Sequence, residues 1–222
     1  MTAAVERGDL DEAARQGMEA GPAIVAQALH AKSRTTILAG IVASPAVEDR
    51  AELLPDLAKL AGSGDRRIAI PAARAAKQIA DLLGKKELPD DIATDDVQAW
   101  RASFEQLAVT RGYPIEVRVA SLETAAALEH VIDRDQLGFD LTKVLADPDP
   151  LLRIAALDLV PRPIEGALRA AIVNAISDSN DGVALAAANI ACADEDKSGV
   201  DLARVKALVK AHPATEAARC IK

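Results

Sequence analysis

Apolar side chains along this chain recur at intervals of three and four, the period of a helix with one face turned inward, and no segment sustains the alternation of a β-strand. Leu53, Leu54, Leu57 and Leu60, at spacings of one, three and three, predict an apolar face on a helix from about Glu48 to Leu60. Trp100, Phe104 and Leu107, at spacings of four and three, mark a helix from about Asp96 to Thr110 and read as core rather than as a recognition platform. The polar positions set the boundaries. Asp9 or Asp11 caps a first helix that runs toward Glu19; Gly21-Pro22 stops it and seeds a second helix to about Lys32. A third helix, Arg34 to Ala43, ends at Ser44-Pro45. After Gly62-Ser63-Gly64, Asp65 caps an Ala-rich helix to about Leu83; Pro71 fits its first turn if the helix begins near Ile70 and kinks it otherwise. Further helices are predicted near 114–132, 137–146, 150–160, 164–176, 182–192, 200–211 and 213–221, which makes the fold all-α.

The pattern also repeats. A Leu-rich helix, a short Asp/Gly/Pro turn and an Ala-rich helix that opens with an aliphatic residue recur along the chain. The turn and second helix stand at Leu145-Ala-Asp-Pro-Asp-Pro-Leu-Leu-Arg-Ile-Ala-Ala156 and at Gly112-Tyr-Pro-Ile-Glu-Val-Arg-Val-Ala-Ser121. A degenerate copy stands at Ser177-Asp-Ser-Asn-Asp-Gly-Val-Ala-Leu-Ala-Ala187. The equivalent aliphatic residues Val117, Leu152 and Val183 are 35 and 31 positions apart, a step suited to two-helix units that cover their apolar faces only by stacking.

These motifs, Asp147-Pro-Asp-Pro-Leu-Leu-Arg153 and Val117-Arg118 above all, resemble HEAT repeats, especially the shorter type found in phycobilisome lyases. The resemblance extends over about residues 46–222, with Asp9 to Ala43 as an irregular cap. It implies an α-α superhelix of antiparallel helix pairs in which Asp147, Arg153 and Arg118 lock neighbouring repeats together. The third copy departs from the pattern with Ala184 in place of the arginine, and Pro71 falls at or near that place in the first. The expected division is a cap and first repeats over 1–83, a polar, Pro-containing interruption over 84–95 that could hinge, and further repeats over 96–222, all in one continuous solenoid.

Composition narrows the chemistry. Hydrophobic residues make up 50% of the 222 positions but aromatics only 2%, so the core is built from Ala, Leu, Ile and Val, which let helices approach closely. A net charge of −8 argues against a nucleic-acid partner. Arg66-Arg67 sits at a helix start, and Lys85-Lys86 is followed by Glu87, Asp90 and Asp91. No run approaches the roughly 18 apolar residues of a membrane span. Met1 to Glu6 lacks the basic and apolar regions of a signal peptide, which leaves the compartment open.

Candidate chemistry is sparse. His30, His130 and His212 lie near predicted helix ends without a second ligand at metal-binding spacing, and no hydrolase elbow, phosphate loop or zinc-protease motif is present. Asp194, Asp196, Ser198 and Gly199 match the first half of a calcium loop, but Val205 stands where its closing glutamate belongs. The segment therefore reads as an acidic turn in which Ser198 or Asp201 caps the next helix. Asp90, Asp91, Asp95 and Asp96 read as linker and helix start. Cys192 and Cys220 fall at the ends of consecutive second helices, where stacking would bring them together; a disulfide and two buried thiols are both open. A bridge would imply an oxidising compartment, in a bacterium the periplasm or cell exterior, and free thiols the cytoplasm.

The expected function is a non-catalytic scaffold that binds another protein through its helical surface, with no cofactor, metal or catalytic residue. The resemblance places the second helices on the concave side, so Arg67, Arg74, Lys77, Gln78 and Asn189 are the candidate contacts. Acidic turns are expected to favour a partner with a basic segment. The alternative is a lyase-type protein acting on a chromophore with a partner subunit; a third is a spacer within a larger assembly.

Overall fold

The computed structural model describes residues 1–84, 92–132 and 140–221, and among them every regular element is helical. The polar residues Lys85, Lys86, Glu87, Asp90 and Asp91 lie outside the described residues. The chain divides into two compact units, Met1–Gln136 and Leu137–Lys222. No helix is long and apolar enough to cross a membrane among the described residues.

The first unit holds α1 (Thr2–Glu6), α2 (Leu10–Ala20), α3 (Pro22–Leu29), α4 (Arg34–Ala43), α5 (Leu54–Ala61), α6 (Arg66–Leu83), α7 (Thr94–Val109) and α8 (Ile115–Ile132). Side-chain caps start three of them: Asp9 accepts from the Glu12 amide, Ser33 from Thr36 and Asp65 from Arg67. Gly21, at φ +84, reverses the chain before Pro22. Helices adjacent in sequence pair as α3 with α4, α5 with α6 and α7 with α8. The pairs then meet in chain order: α3 with α5, α5 with α7, α4 with α6 and α6 with α8. Helices α1 and α2 pack on α4. Leu54, Leu57, Ile79, Phe104, Leu122 and Leu128 are fully buried, whereas Trp100 is only half-buried.

Small residues permit the close crossings. A Cβ at Gly17 would lie 2.2 Å from the Ala43 Cβ, and one at Gly40 would lie 3.0 Å from the Ala28 Cβ. The Gly17 site is where α2 and α4 touch.

The second unit holds α9 (Leu141–Leu145), α10 (Pro150–Asp158), α11 (Gly166–Ala175), α12 (Asp181–Ala193), α13 (Leu202–Ala211) and a 3-10 turn, Glu216–Cys220. Asp149, Asn180 and Asp201 cap α10, α12 and α13. Again α9 pairs with α10, α11 with α12 and α13 with the 3-10 turn. Across pairs, α9 meets α11, α10 meets α12, and α12 meets both α13 and the 3-10 turn. Leu152, Leu157, Ile172, Ile176, Val183 and Val205 fill its core.

Several boundaries differ from expectation. Thr2–Glu6 is helical although no pattern announced it. The expected helix from Glu48 is a 3-10 turn, Arg50–Leu53, followed by α5, because Asp49 adopts φ +24 and breaks the helical course. Helix α6 begins at Arg66, so Pro71 lies in its second turn, where its missing amide leaves one intrahelical bond unmade. The last expected helix, 213–221, is only the 3-10 turn. The two compact units divide at 136/137, and α5 meets α7 and α6 meets α8 on either side of the polar stretch 84–95.

Candidate functional site

Arginines at helix starts tie successive hairpins together within each unit. Arg34 at the start of α4 pairs with Asp65, the cap of α6, at 2.9 Å, and Arg66 of α6 pairs with Glu116 of α8 at 2.6 Å. In the second unit Arg153 of α10 donates to Asp178, in the turn before α12, at 2.9 Å, and also to the Asp147 and Pro148 carbonyls at 2.8 and 3.0 Å. Arg153 thus joins its own turn to the next one. The two turns are built alike: Asp147 accepts from the Asp149 amide at 2.9 Å and Asp178 from the Asn180 amide at 2.8 Å. Arg118 is buried, with Nε donating to the Ala108 carbonyl at 2.9 Å. The carboxylate is matched again at Asp181, which takes Arg204 at 2.8 Å.

The acidic segment that mimics half a calcium loop is organised by a guanidinium. Arg169 reaches Asp194 at 2.9 Å and Asp196 at 3.0 Å, and also donates to the Asp196 carbonyl. Asp196 is held below the usual carboxylate range first by the Ser198 amide, then by the Ser198 hydroxyl, with Arg169 adding to it. Asp201 is the cap of α13, accepting from Ala203 and Arg204 at 3.0 and 3.1 Å. Among the described residues no group of three or more His, Cys, Asp or Glu is placed to hold a metal ion. An open groove of about 420 Å3 beside this turn is lined by Gly166, Ala170, Val173, Asn174, Ser198 and Gly199.

Arg34, Arg66, Arg169 and Arg204 escaped the sequence reading as ion-pair partners. Arg153 to Asp178 and Arg169 to Asp194 both span 25 positions, but Arg66 to Glu116 spans 50, so no single spacing announces the pairs. Of the histidines, His30 is exposed with Nε2 at 2.9 Å from Asp56. His130 and His212 are exposed at or beside the ends of α8 and α13.

The expected contact residues divide. Arg67, Arg74 and Gln78 are exposed on α6, and their spacings of seven and four put them on one face, with Pro71 between the two arginines. Lys77 is half-buried on the flank of that face, bound to Asp81 at 2.6 Å, and this hydrogen bond raises its pKa. Arg67 and Arg74 have no ion-pair partner among the described residues. Glu116 is held below the usual carboxylate range first by a backbone hydrogen bond, then by Arg66, with Arg74 contributing through its charge.

Asn189 turns its carbonyl oxygen toward the end of the chain. It is half-buried, and its Oδ1 accepts from the Ala217 amide at 2.9 Å, holding the 3-10 turn against α12. One turn further along α12, Cys192 forms a disulfide with Cys220 across a Cα separation of 5.2 Å.

Compared with protein-family models and with curated proteins, the chain matches none.

Proposed function

We propose that the chain is a non-catalytic scaffold of the HEAT-like type, each unit a short run of stacked helix pairs, and that it binds another protein through the outward faces of its second helices. The observation that carries this reading is the packing order: in each unit helices pair with their sequence neighbours, and pairs meet in chain order. Such packing leaves one face of each second helix uncovered. The interhairpin arginine pairs, Arg153 with Asp178 above all, support the repeat assignment. The disulfide supports an oxidising compartment, which in a bacterium is the periplasm or the cell exterior.

Cross-linking of the purified chain in an extract of its source, with the linked residues mapped by mass spectrometry, tests the reading. Cross-links from one partner concentrated on α4, α6, α8, α10 or α12 are expected. Turnover of a substrate by the isolated chain would sink it.

A further inference from the structure

The geometry points to α6 as a docking site for an acidic segment of a partner protein, gripped by Arg67 and Arg74; this rests on the scaffold reading above and makes it specific. On sequence alone the net charge of −8 and the acidic turns favour a basic partner. On α6 the local charge points the other way. Asp65 is engaged by Arg34, Asp178 by Arg153, Asp181 by Arg204, and Asp194 and Asp196 share Arg169, so these turn carboxylates are already held from within. What remains unpaired on α6 is positive. Arg67 and Arg74 are exposed on the same face two helical turns apart, about 10 Å along the axis at 1.5 Å per residue.

The surroundings suit a guanidinium grip. Half-buried Ile70 and Pro71 lie between the two arginines, and Gln78 extends the face by one more turn with a neutral donor and acceptor. Arginine binds a carboxylate through two parallel hydrogen bonds, so two such residues at fixed spacing select a segment with two acids about as far apart. The flanks decide against a polyanion. Asp81 and Glu123 stand beside Lys77 on the flank of that face and Glu116 lies within reach of the Arg74 charge, and a continuous phosphate backbone would run into them. A peptide can set its few carboxylates on the arginines and leave neutral positions opposite those acids.

Fluorescence anisotropy with labelled twelve-residue peptides of alternating Glu and Ala, their Lys and Ala counterparts, and a single-stranded oligonucleotide tests the proposal. The acidic peptide is expected to bind the chain more tightly than the other two, and added salt to weaken it. Arg67→Glu with Arg74→Glu should lower that affinity at least tenfold. Lys206→Glu with Lys210→Glu, an equal charge change on exposed positions of α13, should leave it within twofold. Circular dichroism and the melting temperature of both variants confirm that each is folded. Equal losses in the two variants, unchanged affinity in the first, no preference for the acidic peptide, or tighter binding of the oligonucleotide would each overturn it. A partner cross-linked elsewhere, with the α6 variant unaffected, would remove this inference and leave the scaffold reading standing.

Discussion

At the scale of single residues, the arginines separate by what they touch. Arg153 and Asp178 have side-chain exposures of 12% and 16%, so their bond is shielded from solvent and links two hairpins. Arg15, by contrast, is 53% exposed and pairs within its own helix with Glu12 and Glu19. Arg153→Ala is therefore expected to cost about 2 kcal/mol of unfolding free energy, since it leaves Asp178 with the Asn180 amide but no cation and takes a donor from two carbonyls. Arg15→Ala should cost under about 0.5 kcal/mol. Chemical denaturation of both variants, with Asp178→Ala and the double change to isolate the pairwise share, measures the difference; equal costs would mean that Arg153 locks nothing. Asp196 offers a check by titration. Its folded pKa is depressed, so its bonds to Ser198 are kept above the ordinary carboxylate value and lost as pH falls through the lowered one. Carboxylate chemical shifts followed by NMR should give a midpoint below 3.8 for Asp196, moving part of the way up in Ser198→Ala, which removes the hydroxyl but keeps the amide.

At the scale of elements, the apolar stripes were legible because burial selects them directly. Leu53, Leu54, Leu57, Phe104 and Leu107 are all buried, and the caps at Asp9 and Asp65 stand at the starts of the helices expected after them. What periodicity missed has a local cause in each case. Thr2–Glu6 is too short to show a period, and Arg50–Leu53 departs from the α course after the positive φ of Asp49, a conformation that no residue pattern there announces. Interhairpin pairs were partly legible. Arg153 was singled out through the repeat motif; Arg34 and Arg66 were not, since ion pairing depends on which side chains face each other across a crossing. Glycines inside helices were equally ambiguous in sequence. Gly17 looks like a mere weakness in α2, and Gly→Ala in a helix usually stabilises by about 1 kcal/mol. Here the added methyl would meet Ala43 at 2.2 Å, so Gly17→Ala is expected to destabilise by about 1–3 kcal/mol as α2 is pushed from α4. A rise in the denaturation midpoint would refute that crossing.

At the scale of the molecule, the fold class was legible and the division of the chain was not. The polar stretch 84–95 resembles a boundary in composition, yet α6 and α8 on either side of it pack together, because buried area rather than local polarity decides where a unit ends. The candidate surface was half legible: exposure on α6 followed from periodicity, whereas Asn189 faces Ala217 because the last turn folds back onto α12. That turn shows what the disulfide does. Glu216–Cys220 has only Ala217 fully buried, and a five-residue 3-10 turn holds little by its own hydrogen bonds. Cys192 and Cys220 are separated by 28 positions, and closing a loop of that size restricts the unfolded chain by about 3–4 kcal/mol in the entropic account. Reduction should accordingly raise the intact mass by about 2 Da, lower the denaturation midpoint, and speed amide exchange first in residues 202–221. Amides of α5 and α6 lie in the other compact unit and should change least. Exchange that rises equally along the whole chain would mean that the bridge supports the fold globally and not the last hairpin. Unchanged exchange at 202–221 would mean that Asn189 and the apolar contacts of Ala217 suffice without it.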